Sequence, residues 1–195
     1  MLIDVIVEGI TGLMQDTFTN DLLDKGPKST ASGQEPTPHE QAERRLCVDN
    51  QGHPCLPADN LLSCIIDAGC FIKVGRRQLS TRDTTTVTSF LSIVETFLLI
   101  QSEKGWRVDA RGIVNQVTKG RHICYRPIFD EWKLAFTLDI DTTEASLKTV
   151  RELIDRAGRS IGIGVMRPSR KGRYGQFKVI KWSPHKEDTV KVVAA

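Results

Sequence analysis

No stretch of the 195 residues reaches the ~18–20 consecutive apolar positions that a bilayer-spanning helix requires, so no membrane span is expected. The opening Met1-Leu2-Ile3-Asp4-Val5-Ile6-Val7-Glu8 has no basic residue and sets acids inside its apolar run, unlike a signal peptide. A cytoplasmic protein follows as the expectation. Aromatics are scarce at 6%. The four histidines, His39, His53, His122 and His185, are scattered without metal-ligand spacing. Cysteine is limited to Cys47, Cys55, Cys64, Cys70 and Cys124, an odd set that fits reduced thiols better than a disulfide framework. Cys47 and Cys55 flank His53, but no second paired cluster completes a zinc site. A Walker-type phosphate loop and a Gly-x-Ser-x-Gly elbow are both missing. On these residues no catalytic group, metal or cofactor is expected.

What is present reads as a folded chain: 39% hydrophobic and 26% charged residues in 21.8 kDa, enough for one domain with a sizeable core. The net charge of +3 conceals a segregation. Residues 1–72 hold 4 Lys/Arg against 11 Asp/Glu, and residues 73–195 hold 23 against 13. Such a division suits a polyanion on one face and a basic partner, such as a second copy of the chain, on another.

Hydrophobic periodicity sets the elements. Ile3, Val5 and Val7 alternate with polar positions as a strand over 2–9. Residues 15–38 are polar and broken by Gly and Pro, a long loop, with a short helix at 38–46. Asp49-Asn50-Gln51-Gly52 turns between extended pieces at 46–48 and 53–56. Pro57 opens a helix over 58–69 with Gly69 as its cap. β-Branched and aromatic residues predict one long strand over 87–101, and 106–117 with 121–129 form a hairpin around Thr118-Lys119-Gly120. Trp132, Leu134, Phe136, Leu138 and Ile140 mark a strand over 131–140. Asp141 is placed to cap a helix over 143–157, and a last strand covers 176–182. With the hairpin set aside as an insertion, the order is βαββαβ: an α+β chain of ferredoxin-like or RRM-like type. One domain is expected over 1–183, with insertions at 13–56 and 102–130 and a flexible tail at 184–195.

Chemistry concentrates in three basic segments. The richest is Gly158–Phe177, in which Arg159, Gly162, Gly164, Arg167, Arg170, Lys171, Gly172, Arg173 and Tyr174 interleave cations with glycines. Glycines allow close approach of a ligand, successive amides can bind anions, and guanidinium groups grip phosphate. The second holds Lys73, Arg76, Arg77 and Arg82; the hairpin adds Arg107, Arg111, Lys119, Arg121 and Arg126. Brought together, the three would make a nucleic-acid groove. Tyr125 or Tyr174 could stack on a base, although ordinary packing is the plainer reading of each.

Leu56-Pro57-Ala58-Asp59-Asn60-Leu61-Leu62 opening the first long helix, and Gly162-Ile163-Gly164 with Gly172-Arg173-Tyr174-Gly175 before the last strand, resemble the RAMP superfamily. That group contains RNA-binding backbone subunits and guide-RNA-processing ribonucleases of CRISPR effector complexes; short prophage-encoded proteins are similar. The resemblance implies an RRM-like core and guide-RNA backbone contacts through the glycine-rich and basic loops. It further implies a hairpin thumb at 106–129, multimers along the strand, other effector subunits as partners and a role in antiviral defence. Single-stranded DNA is a second candidate ligand. Processing relatives carry a histidine near the first helix, and residues 57–72 have none. Some backbone relatives cut with a loop aspartate; here Asp16, Asp21 and Asp24 occupy such a loop. The alternatives are therefore an endoribonuclease using His122 or a loop aspartate, and a phage or scaffold assembly protein without nucleic acid.

Overall fold

Alternation in the sequence becomes a buried row in the sheet. In the computed structural model, which describes residues 1–17, 36–114 and 120–185 apart from the side chain of His122, strand β1 (Leu2–Gly9) pairs antiparallel with β10 (Lys133–Ile140). Ile3, Val5 and Val7 stand opposite Leu138, Phe136 and Leu134, and all six are buried. Burying an aliphatic or aromatic side chain of this size contributes ~1.5–3 kcal/mol. The sheet is completed by β6 (Leu91–Ile93) beside β10 and β11 (Phe177–Pro184) beside β1, in the order β11-β1-β10-β6.

Two helices supply the second layer. Helix α2 (Ala58–Ala68) buries Ala58, Leu61, Cys64, Ile65 and Ala68, spaced to share one face. Helix α4 (Leu147–Arg156) buries Val150, Leu153 and Ile154, and these join the strand residues in a single core. The chain is thus α+β, with both long helices packed on the sheet's apolar rows.

A three-stranded sheet stands beside this core. Strands β8 (Arg107–Val114) and β9 (Arg121–Phe129) pair from Arg107↔Ile128 to Val114↔Arg121, and β2 (Leu13–Met14) adds to β9. The hairpin is as expected; its tip, with Lys119, lies outside the described residues. Helix α1 (Pro38–Glu43) packs on it, held by a capping box between Thr37 and Glu40 and by stacking of His39 on Trp106 at 4.6 Å. Of the long loop, residues 18–35 lie outside the described residues.

Three expectations need correction. The long strand over 87–101 is instead a one-turn helix α3 (Val87–Phe90), β6, a break at 94–96 and β7 (Phe97–Leu99). At the break Val94 N–H donates to Thr137 O, and the Glu95 carboxylate accepts from Thr137 N at 2.9 and 3.0 Å. The chain then leaves the sheet, and β7 pairs with β3 (Cys55–Pro57). Ser146, not Asp141, caps α4, accepting from Thr149 N, while Asp141 closes an Asx turn on Thr143. Gly69 is the C-cap of α2, as expected, in right-handed backbone (φ −58°), and the chain runs on as a 3₁₀ turn over Gly69–Phe71. The last strand reaches Pro184, and His185 bonds Asp4 at 2.6 Å and Leu2 O at 3.0 Å, so the expected tail at 184–195 does not begin there; 186–195 lie outside the described residues. No helix among the described residues is long and apolar enough to cross a membrane.

Candidate nucleic-acid interface

After α4 the backbone widens into a π-helical turn, Ala157–Ile161, and then a loop with a 3₁₀ turn at Pro168–Arg170 before β11. Its glycines are there for the protein itself. A Cβ at Gly172 would run into the Met166 carbonyl, and one at Gly175, where φ is +71°, into the Ile163 carbonyl. Gly162 and Gly164 pack against Pro168 and Met14. Met166 and Lys171 take positive φ values of 54° and 61° without being glycine, a conformation that the surrounding bonds must hold. Those bonds are internal: Gly162 N donates to Ala157 O, Ile163 N to Gly175 O, Val165 N to Met14 O, Gly172 N to Arg167 O and Tyr174 N to Met166 O, all at 2.9–3.0 Å. These five amides are committed within the fold.

The hairpin meets this loop at one side chain. Arg111 on β8 donates through Nη2 to the Tyr174 hydroxyl, and its guanidinium lies 4.9 Å from the ring centre. Nη1 reaches Met166 Sδ at 3.6 Å. Arg173 lies 5.3 Å from the same ring and donates to the same hydroxyl at 3.3 Å. Tyr174 is therefore packed against two cations, and their hydrogen bonds, that of Arg173 first, hold its phenol below the ordinary range. Asp109, two positions before Arg111 on the same face of β8, grips it at 2.5 and 3.3 Å and raises its pKa. Neither Asp109 nor Met166 was singled out from sequence, though the period-2 spacing of Asp109 and Arg111 was a usable signal for the first.

Much of the hairpin's positive charge is compensated. Arg107 forms a two-bond pair with Asp130 at 2.6 and 2.8 Å. Arg126 binds Asp16 at 2.7 Å, and Arg45 binds the other oxygen of Asp16. Asp16 is thus held between two guanidinium groups. Asp21 and Asp24 lie outside the described residues.

Among the described residues, Lys73, Arg76, Arg77, Arg82, Arg121, Arg159, Arg167, Arg170, Lys171 and Arg173 form no ion pair. Arg170, Lys171 and Arg173 are exposed on the glycine-rich loop. Arg167 is tied back by bonds to Gly164 O and Ser169. Lys73, Arg76 and Arg77 stand on an exposed ribbon of β4 (Lys73–Val74) and β5 (Arg77–Gln78), with Arg82 beyond it. No hydrogen bond, ion pair or ring contact joins this ribbon to the Arg111–Tyr174 junction among the described residues; Arg156, stacked on Phe71 at 5.3 Å, ties its base to the end of α4. Two of the three basic segments therefore meet directly, at Arg111, Arg173 and Tyr174.

No family model and no curated protein matches this sequence. Among solved structures, a chain in the cryo-EM structure of the Type III-B Cmr-beta bound to cognate target RNA has a similar fold, with a TM-score of 0.57 at 12% identity. The similarity covers 95% of this chain and 60% of that one. The likeness thus runs through almost the whole of this chain, which spans about three-fifths of the length of its neighbour. No group of three or more potential metal ligands occurs among the described residues.

Proposed function

We propose that this protein is a single-stranded RNA-binding subunit of CRISPR-effector type, without a catalytic centre of its own, that multimerises along the RNA in the cytoplasm. The observation that carries this reading is the junction of Arg111, Arg173 and Tyr174, where the hairpin and the glycine-rich loop meet beside the exposed, unpaired Arg170 and Lys171. The structural neighbour, a chain of an assembly bound to cognate target RNA, supports it. The order β11-β1-β10-β6 with α2 and α4 on one face fits a ferredoxin-like, RRM-like core. On this reading the chain from β1 through β11 is one domain, with insertions at 13–56 and 102–130, and the hairpin is the thumb of a RAMP-type subunit. Arg170, Lys171, Arg173 and Arg121 contact phosphates, and the ribbon residues Lys73, Arg76, Arg77 and Arg82 extend the track. Acidic and basic regions of successive copies then face one another.

Anisotropy with labelled single-stranded RNA tests this. The wild type should bind at 50 mM salt and weaken steeply towards 200 mM, as counterion release dictates. Arg170→Ala/Lys171→Ala/Arg173→Ala should raise Kd at least ~10-fold and flatten the salt slope by about 2–3. Absence of any RNA affinity at low salt would overturn the proposal, and multimers that form equally well without RNA and ignore it when added would favour an assembly protein.

A further inference from the structure

The hairpin turn at 47–55 carries two thiols that the RNA-binding reading does not use. Cys47 and Cys55 sit on adjacent antiparallel segments, with Cys55 N donating to Cys47 O at 3.0 Å, and their sulfurs are 3.5 Å apart. The reciprocal backbone bond is relayed through a side chain: Cys47 N donates to Gln15 Oε1 at 3.0 Å, and Gln15 Nε2 donates to Cys55 O at 2.7 Å. Gln15 is 3% exposed, and its own N–H donates to Pro127 O of β9. The two sulfurs are thereby held in contact by a backbone bond on one side and a buried amide on the other, so the pair is brought together before any reaction.

We propose that Cys47 and Cys55 form an oxidisable dithiol that hydrogen peroxide closes to an intramolecular disulfide. The Cys47 sulfur attacks one peroxide oxygen; the O–O bond breaks, the leaving hydroxide takes the thiol proton as water, and Cys47 is left as a sulfenic acid. The Cys55 sulfur then attacks the Cys47 sulfur; the S–O bond breaks, hydroxide leaves with the Cys55 proton as a second water, and the S–S bond forms. Two electrons pass from the thiols to the peroxide.

The order follows from the surroundings. Cys47 is 7% exposed and Cys55 is sealed at 0%. Burial pushes Cys55 up to about 12, and it raises Cys47 too, against the opposing hydrogen bond from Cys55. Cys47 is therefore the attacking thiol and Cys55 the resolving one. The remaining cysteines do not share this geometry: Cys64 Sγ donates to Ala157 O at 3.4 Å, Cys124 is buried alone, and Cys70 is partly exposed without a sulfur partner.

The test uses the folded wild-type chain and hydrogen peroxide, followed by quenching, unfolding, alkylation and peptide mapping. The expected result is a Cys47–Cys55 linked peptide, an intact mass lower by about 2 Da, and a Tm higher by about 3–8 °C, as expected for closing a short loop. Dithiothreitol should reverse all three. In Cys55→Ser, dimedone should label Cys47. The proposal fails if Cys47 and Cys55 both remain alkylatable once Cys70 is oxidised, or if either links to another cysteine. None of these readouts involves RNA, so the result stands apart from the outcome of the binding assay.

Discussion

Gln15 shows how one side chain can replace a missing ladder bond. Its carboxamide satisfies Cys47 N and Cys55 O at once inside the protein. Removing it leaves a buried donor and a buried acceptor without partners, each costing ~1–3 kcal/mol. Gln15→Leu should therefore destabilise by about 2–5 kcal/mol, read as a lower urea midpoint with an unchanged m value. This role was not legible in the sequence, where a lone glutamine in a polar stretch carries no pattern. The count of glycines in 158–175 was visible, but not that Gly172 and Gly175 make room for the carbonyls of Met166 and Ile163. Such contacts join positions whose separation along the chain gives no local signal.

At the scale of elements, local rules worked where one face met one core. The alternation in β1 and β10 and the apolar stripe of α2 predicted their burial because a sheet face or helix stripe imposes its own period. They failed where a remote partner decides. β6 stops because Glu95 turns to Thr137, 42 residues away, and the β-branched content of 87–101 says nothing of that. The hairpin's hold on the core likewise depends on Asp16, 110 positions from Arg126. Arg126 keeps only 13% of its side-chain exposure, so Asp16→Ala strands a partly buried cation. Hydrogen exchange should then quicken in β8 and β9 by roughly 5–30-fold, about 1–2 kcal/mol of local opening, while amides of β1 and β10 keep their protection. Equal acceleration in both sheets would rule out this clamp.

Across the whole molecule, acid is the condition that reaches most anchors together. Lys178 and then Lys133 hold Glu8 below its usual range, joining β1 to β11 and β10. A hydrogen bond from Arg107 lowers Asp130, and one from His53 N lowers Asp49. A carboxylate whose folded pKa is depressed stabilises the fold above its unfolded pKa, near 4, and loses that contribution as pH falls through the folded value. Stability should thus be flat from pH 7 to about 5 and fall below about 4. Urea midpoints measured across that range should show a shallower acid decline for Glu8→Gln/Asp130→Asn than for wild type. The charge segregation that first suggested a polyanion partner was plain in the sequence. Its partial neutralisation on the hairpin was not, because Arg107 and Arg126 find their acids only through the fold.

The outer strand β11 changes parity halfway. Phe177 and Val179 point to the helices, the pairing with β1 shifts between Ile6 and Val7 so that Ile180 is passed over, and Trp182 again packs inward. A strand from another molecule, aligning itself along this rim, would be in phase with one half and out of phase with the other. Runaway stacking of copies edge to edge is thereby discouraged by backbone geometry alone, leaving ordered assembly to be directed by other surfaces.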